Sequence, residues 1–176
     1  MHIVFFYLQI PSRVDLPVGE RLQDKYGTLV GPFVMNKPLS FNRERDLTFS
    51  ALLDWVFNGS GPIAGGRTES THAIKTSVAL REPRFVDAPD IHTYVVAASA
   101  DTRTKMDYGN AFNFDEPSLD YIASSLGVDS FFQLVTLTRP FGYGTVRLRD
   151  SNPRSPLLID PQYLQHPKDT ETLVEG

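Results

Sequence analysis

The chain has 176 residues, a length that suits one domain with a sizeable core. Hydrophobic residues make up 41% and charged residues 22% of the sequence, and the formal net charge of -4 excludes the strongly basic class of nucleic-acid and anionic-membrane binders. Cysteine is absent, which excludes a disulfide framework, a thiolate zinc site and a cysteine nucleophile. We therefore expect a small-molecule partner or none, with no nucleic acid and no membrane.

An apolar stretch from Ile3 to Ile10 has the length of a signal-peptide core. No basic residue precedes it and no small-residue cleavage site follows it, and it is far short of the roughly 20 residues that a membrane-spanning helix needs. We interpret it as a buried structural segment. Residues Pro11 to Gly27 follow as a turn-rich segment.

Three stretches predict β-strands in the first hundred residues. Leu29 to Met35 is rich in apolar residues, and Pro32 within it favours an edge position or a break in the strand because proline cannot donate to a sheet. His72 to Leu80 and Asp90 to Ala98 also have a strand-forming composition. Between the first two strands, apolar residues recur at helical spacing and predict an amphipathic helix. This stripe consists of Phe49, Leu52, Leu53, Val56 and Phe57.

The predicted helix begins after Asp46 or Thr48, either of which can cap it, and ends at Asn58-Gly59. Residues 59 to 66 form a glycine-rich loop, but no lysine follows and no strand precedes it, so it fits neither a Walker motif nor a dinucleotide fingerprint. We interpret it as a flexible connector. Asn58-Gly59-Ser60 is also an N-glycosylation sequon, and the same residues are explained by a helix end; both interpretations stay open.

Residues Ser99 to Pro117 lose periodicity and predict a long loop that carries Tyr108, Phe112 and Phe114. Long loops often carry function, so the three rings are candidate substrate-pocket residues. Ordinary packing under the loop explains them as well. Ser118 to Leu126 then predicts a short helix.

The C-terminal part has the most regular pattern. Phe131 to Arg139 and Gly144 to Arg149 predict the two strands of a β-hairpin, joined by the turn at 140–144. His166 followed by Pro167 predicts the N-cap and first residue of a final helix. Strands interspersed with a few short helices predict an α+β fold on a mixed or antiparallel sheet.

The residues themselves reveal no complete catalytic or metal-binding constellation. No histidine has a second ligand at metal-binding spacing on its element, and no serine lies in a G-x-S-x-G elbow. We therefore assign no catalytic, cofactor-binding or metal-ligating residue, and expect each histidine to be a surface or capping residue. The histidines are His2, His72, His92 and His166.

Four segments, in their order and approximate spacing, resemble the glucose-methanol-choline (GMC) flavin oxidoreductases. They are Asp15 to Gly27 (DLPVGERLQDKYG), Asn58 to Gly66 (NGSGPIAGG), Pro89 to Val96 (PDIHTYVV) and Leu137 to Gly176, which includes LTRPFGYGTVRLRDSNPRSPLLIDPQYLQHP. The loops are most similar to those of arthropod members that resemble glucose dehydrogenase. The resemblance extends over nearly the whole chain.

The resemblance implies that residues 1 to 176 form a single partial domain, similar to the GMC substrate domain, of an FAD-dependent oxidoreductase. Such enzymes transfer a hydride from the CH-OH group of an alcohol or sugar to the flavin. The family's Rossmann-like FAD domain, with its glycine fingerprint, and its C-terminal catalytic residues match no segment of this chain, so we expect these residues alone to be inactive. Arthropod-type members are often secreted, which makes secretion a further expectation.

Three residues depart from the family pattern. Arg21 and Lys25 stand where asparagine and histidine are usual, and Tyr143 stands where an arginine often precedes the hairpin glycine. These departures put the local contacts of both turns in question. They also leave a second interpretation open, a non-catalytic module that holds a small ligand among the three aromatic residues named above. In either case, a chain without its covering domain would expose an unusually large apolar patch.

Overall fold

The structure is a computed structural model that describes Val14 and residues 16–65, 68–83 and 87–176. The apolar stretch from Ile3 to Ile10 lies outside the described residues, so its interpretation as a buried segment stays a prediction. The chain forms two compact units. The first comprises the residues up to Gly27, Ile74–Ile91 and Thr136–Gly176, and the second comprises Thr28–Ala73 and His92–Val135.

The described residues confirm the predicted α+β fold class, with an antiparallel sheet and a few short helices. The strands are β1 (Tyr26–Val34), β2 (Thr68–Ile74), β3 (Ile91–Val96), β4 (Ser130–Leu137), β5 (Thr145–Arg147) and β6 (Leu158–Asp160). The helices are α1 (Arg43–Asp46), α2 (Phe49–Asn58), α3 (Ser77–Leu80), α4 (Thr104–Phe112), α5 (Glu116–Ile122), which continues as a short 3-10 turn, and α6 (Pro167–Glu175).

The second unit contains most of a four-stranded sheet in the order β1-β4-β3-β2. Strand β1 lies at the edge, as Pro32 predicts, because an edge strand tolerates a residue that cannot donate a hydrogen bond. Along β4, Phe132 and Val135 are buried, and α5 buries Leu119 and Ile122. These apolar side chains belong to the core of the unit.

The first unit combines the β5-β6 pair with α3 and α6. Thr145 pairs with Asp160 and Arg147 pairs with Leu158 in antiparallel register. Val78, Ala79 and Phe141 form its buried apolar cluster. A side chain at Gly144 would place its Cβ 2.2 Å from the carbonyl oxygen of Asp160, so the close approach of these two segments requires glycine there.

The predicted hairpin between 131–139 and 144–149 is wrong. Strand β4 pairs within the four-stranded sheet, whereas β5 pairs with β6. The turn residues have other partners, because Phe141 and Gly142 donate their N-H groups to Asp169 and Gly144 exchanges backbone hydrogen bonds with Leu22. A tight turn returning along β4 would have to give up these bonds.

The predicted loop from Ser99 to Pro117 is also wrong, because it contains α4 and the start of α5. Just before α4, Asp101 accepts the N-H of the N-cap residue Arg103 at 2.8 Å, and Asn113 ends the helix in the left-handed conformation at φ 54°. Helix α4 has no continuous apolar stripe, so periodicity could not reveal it.

Two boundaries need correction. The strand predicted from His72 to Leu80 ends at Ile74, because Thr76 caps α3 by accepting the N-H of Ala79 at 3.3 Å. The helix predicted to begin at Ser118 begins at Glu116, where Asp115 is the N-cap. Helix α2 is confirmed with Thr48 as its N-cap and Gly59 in the left-handed conformation at φ 62°.

Candidate functional site

A buried carboxylate organises the segment that carries most of the family resemblance. Asp169, in the first turn of α6, is 1% exposed. Its Oδ1 accepts the N-H of Phe141 at 2.7 Å, and its Oδ2 accepts the N-H of Gly142 at 3.1 Å. Because both oxygens are occupied by backbone donors, Asp169 holds the turn in place and has a structural role.

The N-cap predicted at His166 is confirmed. Its Nδ1 accepts the N-H of Lys168 at 3.2 Å, and its ring stacks on Phe141 with centroids 5.3 Å apart. This contact makes His166 a capping residue of α6.

Two of the residues that depart from the family pattern contact each other. The guanidinium carbon of Arg21 lies 4.4 Å from the centroid of the Tyr143 ring, which is the geometry of a cation-π pair. Lys25 is exposed. Arg21 and Tyr143 therefore form a local contact with each other in the first unit.

Tyr26 and Tyr163 form a second aromatic contact in this unit, with centroids 4.6 Å apart. The Tyr163 hydroxyl donates to Asp24 at 2.6 Å, and the Tyr26 hydroxyl accepts the N-H of Leu164 at 3.3 Å. Burial raises the pKa of Tyr26 to about 12. This phenol stays neutral at physiological pH and acts as a structural acceptor.

The three candidate aromatic residues lie together in the second unit. Tyr108 and Phe112 are on α4 with ring centroids 5.6 Å apart, and Phe112 and Phe114 are also 5.6 Å apart. Phe112 is 63% exposed. The rings form a cluster at the C-terminal end of a helix, and their assignment to a substrate pocket stays a prediction.

The second unit also contains a surface cavity of about 480 Å³, which we call the α1-α2 cavity. Its walls come from the segment after β1, the end of α1 and the glycine-rich loop after α2. The lining residues are Pro38, Leu39, Ser40, Phe41, Arg45, Asp46, Leu47, Pro62, Ile63 and Gly65. A volume of about 300–1,000 Å³ is typical of small-molecule sites.

Three polar residues that line the α1-α2 cavity, Ser40, Arg45 and Asp46, belong to a hydrogen-bonded ionic network. Arg45 pairs with Asp46 at 2.7 Å and with Asp129 at 2.9 Å. Ser40, which is buried, donates its hydroxyl to Asp129 at 2.8 Å and shares a hydrogen bond of 2.6 Å with Ser99. The network joins the segment after β1 to the start of β4.

The pKa values of this network favour the charged forms. The hydrogen bond from Arg45 holds the pKa of Asp46 below its usual range. Burial raises the pKa of Asp129, but hydrogen bonds from Ser40 and Arg45 outweigh it and leave that pKa lowered. The two carboxylates raise the pKa of Arg45. At neutral pH the network therefore carries one cation and two anions, and two of these charges, Arg45 and Asp46, line the cavity.

The described part of the chain contains no group of three or more histidine, cysteine, aspartate or glutamate residues that could hold a metal ion. Over the same residues, no helix has the length and apolar content needed to cross a bilayer.

The chain is similar to a fungal protein, dehydrogenase str4 of Strobilurus tenacellus. The two sequences are 27% identical over 183 residues, which cover 95% of this chain and 27% of the relative. The chain therefore spans about a quarter of the length of that relative. No family model matches the chain.

The α1-α2 cavity was missed by the sequence analysis. Its walls come from segments separated by about twenty residues, and Asp129 joins the network from the start of β4. The sequence signal at this place is the run Asn42-Arg-Glu-Arg-Asp46, which has four charged residues of alternating sign in succession.

Proposed function

We propose that this chain is the substrate-side part of an FAD-dependent oxidoreductase of the GMC family, which oxidises CH-OH groups of alcohols or sugars. The observation that carries the proposal is the similarity over 95% of the chain to a protein named as a dehydrogenase. The four ordered segments that resemble GMC enzymes support the same conclusion, and they extend over nearly the same residues.

The α+β fold is consistent with a substrate domain built on a sheet backed by helices. The C-terminal segment that resembles the family forms one hydrogen-bonded assembly around Asp169, in which Phe141, Gly142 and His166 all have structural contacts. A scaffold of this kind supports a substrate-side role, because positioning a substrate requires fixed walls.

The described residues do not fit the pyrophosphate of FAD. A dinucleotide site needs a strand, a glycine-rich turn and the N-terminus of a helix in that order. In the described residues the glycine-rich segment at 59–65 follows helix α2 and precedes strand β2, which is the reverse order. The proposal therefore places the flavin on another part of a longer protein.

The experiment is to express the longest reading frame that contains these 176 residues and to record its absorption spectrum after purification. We expect a G-x-G-x-x-G motif between a strand and a helix in that frame, and a flavin spectrum at one flavin per chain. The 176 residues alone, treated with FAD in the same way, should stay colourless. A colourless long protein, or stoichiometric flavin on the 176 residues, would overturn the proposal.

The second candidate function is a non-catalytic module that binds a small ligand. The observation in its favour is that the second unit presents both the α1-α2 cavity and the cluster of Tyr108, Phe112 and Phe114. A reading frame that starts and stops at this domain, with a product that binds ligand but no flavin, would favour the module.

A further inference from the structure

Another surface cavity, of about 310 Å³, lies within the first unit, and we call it the Lys25-Arg139 cavity. It lies between the segment before β1 and the turn after β4. Its lining residues are Gln23, Asp24, Lys25, Thr138, Arg139, Pro140 and Tyr143. All of them except Pro140 are charged or can form hydrogen bonds through their side chains. A lining of this composition favours a polar ligand over an apolar one.

Hydrogen bonds fix the two walls of this cavity against each other. Gln23 donates a side-chain N-H to the carbonyl of Pro140 at 2.9 Å. Directly beside the cavity, Leu22 and Gly144 exchange two backbone hydrogen bonds, at 3.0 and 2.8 Å. The walls are therefore held in place without a ligand, which lowers the entropic cost of binding one.

The charge of the lining is positive, although the whole chain has a formal net charge of -4. Lys25 and Arg139 each contribute one positive charge and Asp24 contributes one negative charge, so the lining has a net charge of +1. Arg21 adds a cation beside the lining, because its guanidinium carbon lies 4.4 Å from the centroid of the Tyr143 ring. The lining together with Arg21 therefore carries a net charge of +2.

Lys25 is a cation of this cavity that is available to a ligand. Its side chain is exposed, and its ammonium group has no hydrogen bond or ion pair with any residue that the structure describes. An ammonium group has three N-H donors, which suit the oxygen atoms of an anion. The carboxylate of Asp24 already accepts the hydroxyl group of Tyr163 at 2.6 Å. The donors of Lys25 are therefore open to an anion, whereas Asp24 has a partner within the chain.

We propose that the Lys25-Arg139 cavity binds a small molecule that carries a phosphate group. A phosphate monoester has a charge of about -1.5 to -2 at neutral pH, which is complementary to the net charge of +2 of the lining and Arg21. Lysine binds phosphate as a point charge. A volume of about 310 Å³ is at the lower end of the range for small-molecule sites, so the ligand is compact and is not a dinucleotide. This site is separate from the oxidation proposed above and does not depend on it.

The first test is a nuclear magnetic resonance titration of the 176-residue chain with inorganic phosphate and with acetate, at equal ionic strength and neutral pH. We expect phosphate to shift the backbone amide signals of residues 23–25 and 138–143 and to saturate at one site. Acetate should bind more weakly by about threefold or more, because it carries a single negative charge. Shifts that do not saturate, shifts confined to other residues, or acetate binding as tight as phosphate binding would overturn the proposal.

The second test identifies the cation. Lys25→Met should weaken phosphate binding by about fivefold, because it removes the ammonium group and keeps a long side chain. The matched control is Lys37→Met in the second unit, which removes the same charge at an exposed lysine outside the cavity lining. It should change the affinity by less than about twofold. Since both lysines are exposed, both variants should keep the circular dichroism of the wild type. An unchanged affinity in Lys25→Met, or equal losses in the two variants, would overturn the proposal.

Arg21→Met gives a graded result. We expect a loss of about twofold in phosphate affinity, because Arg21 lies beside the lining and not in it. A larger loss in Arg21→Met than in Lys25→Met would overturn the assignment of the phosphate to this cavity. The presence of flavin on the longest reading-frame product tests the oxidoreductase proposal alone, so the two proposals can fail separately.

Discussion

In the first unit, buried polar groups hold the turns and helices together, whereas in the second unit large apolar side chains of α2 lie in solvent. Asp169 and Asp90 are 1% and 0% exposed, and each carboxylate accepts two hydrogen bonds from one short segment. On α2, Phe49 and Phe57 are 74% and 78% exposed. Both units bury hydrogen-bonded polar groups, and the second unit is distinguished by the exposed aromatic residues of α2.

This difference indicates which residues of the molecule are available to contact a ligand. A carboxylate that is already saturated by backbone donors has nothing to offer a substrate. When a ligand covers exposed apolar residues beside a cavity, their surface is removed from water, and this contributes favourably to the free energy of binding. The most regular sequence segment is therefore the scaffold, and the less patterned second unit carries the candidate surface for the proposed substrate.

The largest effect is expected for Asp169→Ala, which leaves the N-H groups of Phe141 and Gly142 without their acceptor. We expect a loss of about 3 kcal/mol in the free energy of unfolding, measured by chemical denaturation. The control is Glu171→Ala on the same helix, where an exposed ion pair with Arg81 is lost and the change should be below about 1 kcal/mol. Equal effects of the two substitutions would contradict the role of Asp169.

A smaller loss is expected for Gly144→Ala in the first unit, about 2 kcal/mol, because the new Cβ would meet the carbonyl of Asp160. Gly65→Ala in the second unit is the matched change, since no described atom lies within 4 Å of a Cβ there. It should alter stability by less than about 0.5 kcal/mol. If Gly65→Ala were the more damaging substitution, the contrast between the two units would be wrong.

Tyr26 should ionise late in an alkaline titration followed by ultraviolet absorbance. Its pKa is raised from an ordinary value of 10.0 to about 12, first of all by burial. A raised folded-state pKa means that the contribution to stability is complete below about pH 10 and is lost as the pH rises through about 12. Tyr26→Phe should reduce the late absorbance change to that of Tyr163, whose pKa is also raised by its hydrogen bond to Asp24, and Tyr121→Phe should retain the change in full. Complete ionisation of all tyrosines before about pH 11 would contradict the burial of Tyr26.

The contact between Arg21 and Tyr143 should contribute about 0.5–1 kcal/mol of coupling free energy. A double-mutant cycle with Arg21→Met and Tyr143→Leu measures it by chemical denaturation. Strict additivity would show that the two departures from the family pattern are independent of each other.

The smallest effect on stability is expected for Phe57→Ser on α2, below about 0.5 kcal/mol, because the side chain is exposed. The same substitution should clearly reduce the fluorescence of a dye that binds apolar surface, and Val174→Ser on α6 serves as the control for a single exposed apolar residue. A loss of more than about 1 kcal/mol would contradict the exposure of Phe57.

Local rules predicted the parts of this molecule that depend on short-range geometry. Thr48, Gly59 and His166 act as helix ends because capping depends on neighbouring backbone groups. The hairpin prediction failed because Asp169 lies about thirty residues from the turn that it holds, a distance at which sequence pattern carries no information. Helix α4 was missed because its polar and aromatic residues show no period.

The candidate site was predictable only in part. The aromatic residues at 108, 112 and 114 do lie together, because α4 and its left-handed end at Asn113 bring them close. Arg45, which lines the α1-α2 cavity, is held by Asp129, a residue more than eighty positions away. The contact forms because β1 and β4 are neighbours in the sheet, and a single sequence does not reveal this pairing.

The central proposal is that this chain forms the substrate side of a flavin-dependent oxidoreductase that acts on CH-OH groups. Anaerobic mixing of the longest reading-frame product with a series of alcohols and sugars tests it most directly. We expect at least one of them to remove the visible flavin absorption. A flavin spectrum that no alcohol or sugar bleaches, or a protein without flavin, would contradict it.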